Sequence, residues 1–290
     1  MSAAVGPGSP TATLLISCPD QRGLVARTAK FVADRNGNLV HAEHHIDPTT
    51  GLFLMRIEWE LDGFELARDE IAPAFTPLAE QIHATWQLHF SDTVRRMAIW
   101  VSRQDHCLSD LIQRQRGGEL RAEIRLVISN HTDLEPLAAA FGIEYVHTPT
   151  ESTNRHRHEA VQLSLLQNHG IDLVVLAKYM QILTPEFLVR YPRVINIHHS
   201  FLPAFVGANP YLQAIQRGVK IIGATAHYAT ADLDAGPIIE QDVVRVSHRD
   251  SVADLIRKGR DLERVVLARA VRLHLENRVI VHGNRTSVFD

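Results

Sequence analysis

The chain has 290 residues, of which 45% are hydrophobic and 22% are charged, and its formal net charge is −3. This length suggests about two globular domains, and the balanced charge excludes a surface built to grip nucleic acid. Only two cysteines are present, Cys18 and Cys107, which excludes a disulfide framework and is typical of a reducing compartment. No apolar run reaches the roughly 18 residues of a membrane span, and the first residues carry no secretory signal. We expect a cytoplasmic globular protein with a disordered tail over residues 1–10.

Residues 11–90 show strand and helix patterns in the order βαββαβ. The predicted elements are a strand over 13–18, a helix within 21–38, two strands over 39–46 and 52–61, a helix over 65–82 and a strand over 86–90. Alternating apolar residues in the third strand predict a hairpin with one buried face. Pro73 and Pro77 are expected to interrupt the second helix. The order predicts a ferredoxin-like unit.

From residue 97 onward, strands alternate with helical stretches, which predicts a parallel sheet with crossover helices. The predicted strands cover 97–101, 124–129, 145–147, 173–177 and 194–198, followed by an antiparallel pair over 221–228 and 237–244. Ser251 and Asp254 resemble a capping box in front of a long helix. The short polar stretch between the two patterns predicts the division of the chain, with one domain over 11–90, a linker over 91–96 and a second domain over 97–290.

The stretch VINIHHSFLPAFV carries polar side chains at the end of an apolar strand. Asn196 and His198 are two positions apart, so both side chains point to the same face. The carboxyl ends of strands are where open α/β sheets bind ligands. An amide beside an imidazole offers two donors to a developing oxyanion, although a buried, hydrogen-bonded polar pair gives the same pattern.

Two further stretches carry candidate residues. In GATAHYATADLDAGPII, His227 ends a strand, and Asp232 and Asp234 lie in the loop that follows. A loop carboxylate beside an imidazole can shuttle a proton, whereas turn formation alone also favours aspartate. In VVLAKYMQILTP, a buried strand leads into an apolar segment that could form one wall of a flat ligand pocket or belong to the ordinary core.

The segments LAKYMQILTP, INIHHSFLPAF and GATAHYATADLDAGPII, in this order and spacing, resemble the folate-dependent formyltransferases. The two-domain layout is most similar to the formyltetrahydrofolate deformylase family, and the likeness runs from about residue 11 to the end. The resemblance implies an α/β fold, in which an N-terminal ferredoxin-like ACT domain (βαββαβ) precedes a Rossmann-like formyltransferase domain with a mostly parallel sheet.

The resemblance implies hydrolysis of 10-formyltetrahydrofolate to tetrahydrofolate and formate, which supplies purine synthesis and balances one-carbon pools. It assigns a catalytic trio to Asn196, His198 and Asp234, with His227 in support. Asn196 and a protonated His198 would stabilise charge on the formyl oxygen. Asp234 would orient the water, take its proton and return one to the leaving nitrogen. The folate is the substrate, and no metal or redox cofactor is implied.

The pterin of the folate is expected between two segments of the second domain. The expected substrate-binding residues are Met180, Gln181, Ile182, Leu183, Ala229, Thr230, Ala231, Asp232 and Leu233. Gln181 stands where related sequences commonly carry arginine. The ACT resemblance implies control by methionine or glycine near the turn that contains Asp20 and Gly23, and a homo-oligomer, either a dimer or a tetramer.

Two relatives and one non-enzyme are weighed as alternatives. Glycinamide ribonucleotide formyltransferase holds a phosphate on a glycine-rich turn, but VSRQDHCLSDL has no glycine before Gly117. A methionyl-tRNA formyltransferase would need a further C-terminal domain and a basic surface. Formyl transfer to a small amine, and a regulatory protein that binds folate without turnover, stay open as alternatives.

Three other patterns have ordinary structural explanations. His41, Glu43 and His45 alternate on one strand in HAEHH, where a polar hairpin face is favoured over a zinc site. Cys107 follows His106, but no third orienting group is evident, so we interpret the cysteine as structural. The basic stretch over 154–160 could attract the glutamate tail of a folate, although a solvated helix start is the commoner case.

Overall fold

The computed structural model describes residues 9–149, 155–192, 194–203 and 210–289. These residues form two compact units, one over 9–93 with 276–282 and 287–289, and the other over 94–275 with 283–286. Most of the expected tail lies outside the described residues. Within the described ranges, no helix combines the length and apolar character that crossing a membrane would require.

The first unit is a four-stranded antiparallel sheet with two helices. Its elements are β1 (Thr11–Pro19), α1 (Leu24–Ala33), β2 (Leu39–Asp47), β3 (Leu52–Glu60), α2 (Arg68–Gln81) and β4 (Thr85–Phe90). The strand order is β2-β3-β1-β4, and every pairing is antiparallel. The predicted βαββαβ unit is therefore confirmed.

One expectation for this unit was wrong, because α2 is continuous from Arg68 to Gln81 and contains both Pro73 and Pro77. Each proline removes a backbone donor from the helix. The helix nevertheless buries Ile71 and Phe75 in the core of the unit, and Phe75 is fully buried. Tertiary packing of this apolar face outweighs the missing hydrogen bonds.

The central strands β1 and β3 of this unit are buried on both faces. Alternate residues such as Leu14 and Ile57 pack in the main core, whereas Leu15 and Leu54 lie on the opposite face with Ile280 and Phe289. The sequence-based division assigned all of 97–290 to the second domain. The structure instead groups 276–282 and 287–289 with the first unit, because these C-terminal side chains cover the second face of its sheet.

The second unit contains a seven-stranded sheet with order β11-β10-β9-β8-β5-β6-β7. Its strands are β5 (Arg95–Val101), β6 (Ala122–Ser129), β7 (Glu144–His147), β8 (Leu173–Ala177), β9 (Val194–His198), β10 (Ile221–Tyr228) and β11 (Ile238–Arg245). The five strands from β5 to β9 pair in parallel, and β10 and β11 pair antiparallel. The mostly parallel sheet is as predicted, and β5 takes in the last two residues of the expected linker.

Helices connect these strands, and a short strand pair ends the chain. The helices are α3 (His106–Arg116), α4 (Glu135–Ala140), α5 (Arg155–Asn168), α6 (Pro185–Arg190), α7 (Pro210–Arg217) and α8 (Val252–Leu275), and the terminal strands are β12 (Val279–His282) and β13 (Arg285–Val288). The capping box at the start of α8 is confirmed. The backbone of Ser251 donates to Asp254 Oδ2 at 3.0 Å, and the backbone of Asp254 donates to Ser251 Oγ at 3.2 Å.

Candidate active site

The site is built where the parallel strand β9 meets the antiparallel strand β10. Asn196 and His198 lie two positions apart at the end of β9, where the apolar run stops. In the antiparallel pairing, His227 of β10 lies directly opposite Asn196. Because opposite residues of adjacent strands share a face, their side chains meet, and Asn196 Nδ2 lies 3.2 Å from His227 Nε2.

The loop after β10 brings a carboxylate to these imidazoles. Asp234 adopts the left-handed conformation with φ 53°. Two positions later, a Cβ on Gly236 would lie 1.8 Å from the carbonyl oxygen of Tyr228, so this close return of the chain requires glycine. The turn places Asp234 Oδ2 3.1 Å from His198 Nδ1, and Asp234 Oδ1 3.6 Å from His227 Nε2.

The surroundings of Asp234 keep its carboxylate ionised. Burial acts to raise its pKa, but hydrogen bonds from His198 and His227 and their charges outweigh burial and hold the pKa well below the usual range. His227 in turn donates from Nδ1 to the carbonyl oxygen of Tyr228 at 2.9 Å, which fixes the orientation of its ring. An ionised carboxylate therefore faces His198 at neutral pH.

These groups open into a cavity of about 380 Å³. Its wall is formed by Leu176, Lys178, Tyr179, Met180, Gln181, Ile182, Leu183, Leu188, Asn196, Ile197, His198, His199, His227, Ala229, Thr230, Leu233 and Asp234. Met180 is 64% exposed and Ile182 is 50% exposed, so apolar side chains are available at the mouth. Among the described residues, no group hydrogen-bonds with the buried Nε2 of His198. That nitrogen is therefore a buried polar atom without a hydrogen-bond partner in the described part of the chain.

Most of the predicted substrate-binding residues line this cavity. They are Met180, Gln181, Ile182, Leu183, Ala229, Thr230 and Leu233. Two other predicted residues, Ala231 and Asp232, are exposed on the loop and are not among the described residues that form the wall. The backbone carbonyl of Asp232 accepts a hydrogen bond from Thr230 Oγ1 at 3.1 Å, so Asp232 helps to shape the turn.

The predicted effector residues lie at the strand-to-helix turn of the first unit. Gly23 precedes α1 with φ 83°, and a Cβ there would meet no heavy atom within 4 Å. Asp20 is exposed, and its backbone nitrogen donates to the carbonyl oxygen of Gly51 at 2.9 Å. The turn is therefore open and adopts a conformation that glycine favours.

Lys178 and His199 are among the residues of the cavity wall that the sequence interpretation missed. Both lie inside the motifs that carried the family resemblance, within two positions of predicted site residues. The ring of His199 stacks on the ring of His198, with centroids 4.8 Å apart. Burial, and then the positive charges of Lys178 and His198, lower the pKa of His199 to about 4. His199 is therefore neutral at neutral pH, and only tertiary contacts reveal this.

His41, Glu43 and His45 of the predicted hairpin are not among the described residues whose ligand atoms lie close enough together to hold a metal ion. His41 Nδ1 lies 3.1 Å from the guanidinium Nη1 of Arg56, a positively charged neighbour that opposes a metal cation. Among the described residues, the group that could hold an ion consists of His106, Cys107 and Glu263. Burial raises the pKa of the Cys107 thiol well above its ordinary value, so this cysteine is a poor metal ligand and nucleophile.

The geometry is that of a site for acyl-group chemistry. Asn196 and His198 line the same cavity and carry groups that can donate hydrogen bonds, and the carboxylate of Asp234 lies 3.1 Å from the His198 imidazole. The predicted convergence of these three side chains is therefore seen in the structure. It depends on the β9–β10 pairing and on the turn at Asp234.

Comparisons with known proteins agree with this arrangement. Family models match an ACT domain over residues 12–76 and a formyl transferase domain over residues 95–271. A protein of Synechocystis named formyltetrahydrofolate deformylase is 64% identical, over 96% of this chain and 98% of its own length. A crystal structure of a formyltetrahydrofolate deformylase from Pseudomonas syringae is 50% identical, with a TM-score of 0.95, and the match covers 98% of this chain and 95% of that one.

A more distant neighbour covers less of this chain. It is the glycinamide ribonucleotide transformylase 1 of Symbiobacterium toebii, at 34% identity and a TM-score of 0.65, with 70% of this chain and 98% of that chain covered. The deformylase from Pseudomonas syringae matches 98% of this chain, the ACT domain included, whereas the transformylase matches 70% of it. The chain belongs to the formyltetrahydrofolate deformylase family.

Proposed function

We propose that this protein hydrolyses 10-formyltetrahydrofolate to tetrahydrofolate and formate, the activity for which its relatives are named, with Asn196, His198 and Asp234 as the catalytic residues. The observation that carries the residue assignment is the 3.1 Å contact between Asp234 and His198 beside Asn196, on the wall of a cavity. The apolar segment from Met180 to Leu183 and the loop residues Ala229, Thr230 and Leu233 hold the pterin.

The proposed first step is attack of water on the formyl carbon, which places negative charge on the formyl oxygen. The Asn196 amide donates to this oxygen. Nε2 of His198, which has no competing partner among the described residues, takes the proton that the water loses and then donates a hydrogen bond to the same oxygen. The ionised Asp234 stabilises the imidazolium through Nδ1. The oxyanion is thus bound by two donors in a largely buried setting.

The lowered pKa of Asp234 changes one part of the sequence-based mechanism. A carboxylate with so low a pKa is a weak base, so Asp234 alone is poorly suited to take a proton from water. We assign proton uptake to the coupled pair of His198 and Asp234. The pair accepts the proton that water loses and returns it to the folate nitrogen as the carbon–nitrogen bond breaks.

The test is formate release from 10-formyltetrahydrofolate by the purified protein, with no amine present. Wild type should release formate and tetrahydrofolate in equal amounts, and Asn196→Ala and Asp234→Asn should be strongly impaired. Asp261→Asn is the matched control, because Asp261 is an exposed carboxylate of α8, paired with Arg264. No formate from the wild type, or formylation of an added amine in its place, would reject hydrolysis and favour the transferase alternative.

For the first unit, we propose that a small amino acid, methionine or glycine, binds at the turn containing Asp20 and Gly23. The match to an ACT domain and the open, left-handed Gly23 support this. We also propose a homo-oligomer, since β2 is an edge strand with Val40 and Ile46 exposed. Light scattering of the purified protein tests the oligomer.

Formate release with and without each amino acid tests the effector site. The effector site would be rejected if neither amino acid changed the rate of formate release, in the wild type or in Gly23→Val.

A cytoplasmic location is proposed from the cysteine chemistry. Cys18 and Cys107 are both buried free thiols, which suits a reducing compartment. The catalytic proposal needs no metal or redox cofactor, because the charges and donors that it uses come from side chains of the cavity wall.

A further inference from the structure

One residue of the cavity wall, Lys178, belongs to a buried ion pair that the proposed hydrolysis does not use. Lys178 directly follows β8 and adopts the left-handed conformation with φ 64°, which residues other than glycine adopt rarely. Its side chain is only 8% exposed, and its Nζ lies 3.3 Å from Glu263 Oε1. Lys178 lines the same cavity as His198 and Asp234. A lysine is thus held in an uncommon backbone conformation at the reaction site.

Glu263 lies in the middle of α8, with a side chain that is 2% exposed. A buried carboxylate is costly unless a cation and hydrogen-bond donors compensate it. Here Lys178 supplies the cation, His106 Nε2 lies 2.6 Å from Oε2, and Tyr211 Oη donates to Oε1 at 3.3 Å. Burial acts to raise the pKa of Glu263, but the hydrogen bond with His106 and the charge of Lys178 outweigh it and lower the pKa.

The cation of this cluster is the ammonium group of Lys178 rather than a metal ion. His106, Cys107 and Glu263 lie close enough to hold an ion, but the Cys107 thiol is held in its neutral form by burial. Metal binding requires the thiolate. Glu263 already has its positive partner in Lys178.

The cluster adjoins the catalytic imidazole. His199 stacks on His198 and also lies 6.2 Å, centroid to centroid, from the ring of Tyr211. Lys178 and His199 line the cavity, whereas Glu263 and Tyr211 are not among the described residues of its wall. Lys178 therefore contacts both the cavity and a buried carboxylate that is not among the described residues of its wall.

We propose that Lys178 is a specificity residue: its ammonium group occupies a subsite, formed by Glu263 and Tyr211, that would otherwise take the ammonium group of an amine acceptor, so that water remains the only nucleophile. The inference rests on the proposed function. The transformylase of similar fold shows that the fold by itself does not determine the choice of water. An internal cation bound beside the reaction site excludes a competing one by volume and by charge.

If Lys178 is removed, the carboxylate of Glu263 loses its ammonium partner and keeps only its contacts with His106 and Tyr211. A small ammonium ion can then bind against Glu263 and release one proton to solvent, and the neutral amine attacks the formyl carbon and loses a second proton to the His198–Asp234 pair. The new bond joins the amine nitrogen to the formyl carbon, the bond to the folate nitrogen breaks, and the proton passes to that nitrogen. The products are a formamide and tetrahydrofolate, without any redox step.

The experiment measures the ratio of N-methylformamide to formate when the protein turns over 10-formyltetrahydrofolate in the presence of methylamine. This ratio does not depend on a general loss of activity, so a merely structural role of Lys178 would not change it. Lys178→Gly suits the left-handed backbone and opens the subsite. Lys178→Met fills the subsite without a charge, and the double variant Lys178→Gly with Glu263→Gln removes the carboxylate.

We expect the ratio to rise about tenfold or more in Lys178→Gly and to stay at the wild-type value in the other two variants. Methylammonium should also raise the unfolding temperature of Lys178→Gly but not that of wild type. An unchanged ratio in the glycine variant would overturn the proposal, as would an equal rise in the double variant. Lys178→Ala, with the same readouts, replaces the glycine variant if that one does not fold. Wild type that releases no formate would instead reject the proposed function.

Discussion

Replacing Asp234 with asparagine tests the central contact of the site, because the change removes a charge but keeps the shape. Asp234 Oδ2 lies 3.1 Å from His198 Nδ1, and the two side chains are only 13% and 7% exposed. At an effective dielectric constant of about 20, unit charges at this separation attract by about 5 kcal/mol. Asparagine can still accept the hydrogen bond from Nδ1, and water screens part of the attraction, which leaves a net loss of about 3 kcal/mol.

A loss of about 3 kcal/mol that is felt in the transition state lowers kcat by about 100-fold. We expect KM to change little, because Asp234 stabilises charge that develops during the reaction rather than the bound folate. The assay is steady-state formate release, with circular dichroism to confirm folding. Asp261→Asn makes the same chemical change on an exposed carboxylate and should retain wild-type kinetics.

Asp234→Asn should also change how the stability of the folded protein depends on pH in acid. The folded pKa of Asp234 lies below its ordinary value of 3.8, so its contribution to stability is fully present above about pH 4. That contribution is lost as the pH falls through the folded value, because the folded state then has to take up the proton. Asp234→Asn should lack this component. A folded Asp234→Asn protein with kcat within threefold of wild type would refute the reasoning about the His198–Asp234 pair.

Three further expectations concern single positions. Asn196→Ala should lower kcat by about 100- to 1,000-fold in the formate assay, and near-normal turnover would remove Asn196 from the oxyanion site. Phe75→Ala, at a fully buried position, should cost about 3–5 kcal/mol in the free energy of urea unfolding, whereas Val94→Ala, at 62% exposure, should cost under about 0.5 kcal/mol. Because the pKa of His199 is about 4 in the folded protein and 6.5 ordinarily, stability should fall by about 3 kcal/mol as the pH drops through that interval. His199→Gln should abolish this slope in thermal unfolding, and a slope that persists would place its origin elsewhere.

The elements themselves followed from local sequence patterns. The strands over 173–177, 194–198 and 221–228 agree with the structure residue for residue, because apolar runs bounded by polar residues report burial directly. The continuous helix α2 did not follow, since Pro73 and Pro77 argue against it locally. Its stability comes from packing of Phe75 and its neighbours, which no local rule contains.

The candidate site, too, was predicted in part from local sequence and decided in part by the tertiary structure. A period of two is enough to place Asn196 and His198 on one face of a strand, and the motif resemblance identified Asp234. Which loop carboxylate reaches the imidazole is decided by the left-handed turn at Asp234 and the close return at Gly236. Asp232 is exposed and is not among the described residues that line this cavity. The turn at Asp234 and the close approach at Gly236 depend on contacts between separate segments of the folded chain.

Composition and periodicity by themselves determined the two α/β units and the carboxyl edge that carries the polar residues, and the motif resemblance predicted the three catalytic side chains. Only the tertiary structure decided that the C-terminal segment covers the first sheet, and that Lys178, Tyr211 and Glu263 form one buried cluster beside His198. The reason is physical: hydrophobic periodicity is local along the chain, whereas burial and ion pairing between residues that are 85 positions apart depend on how helices and strands pack.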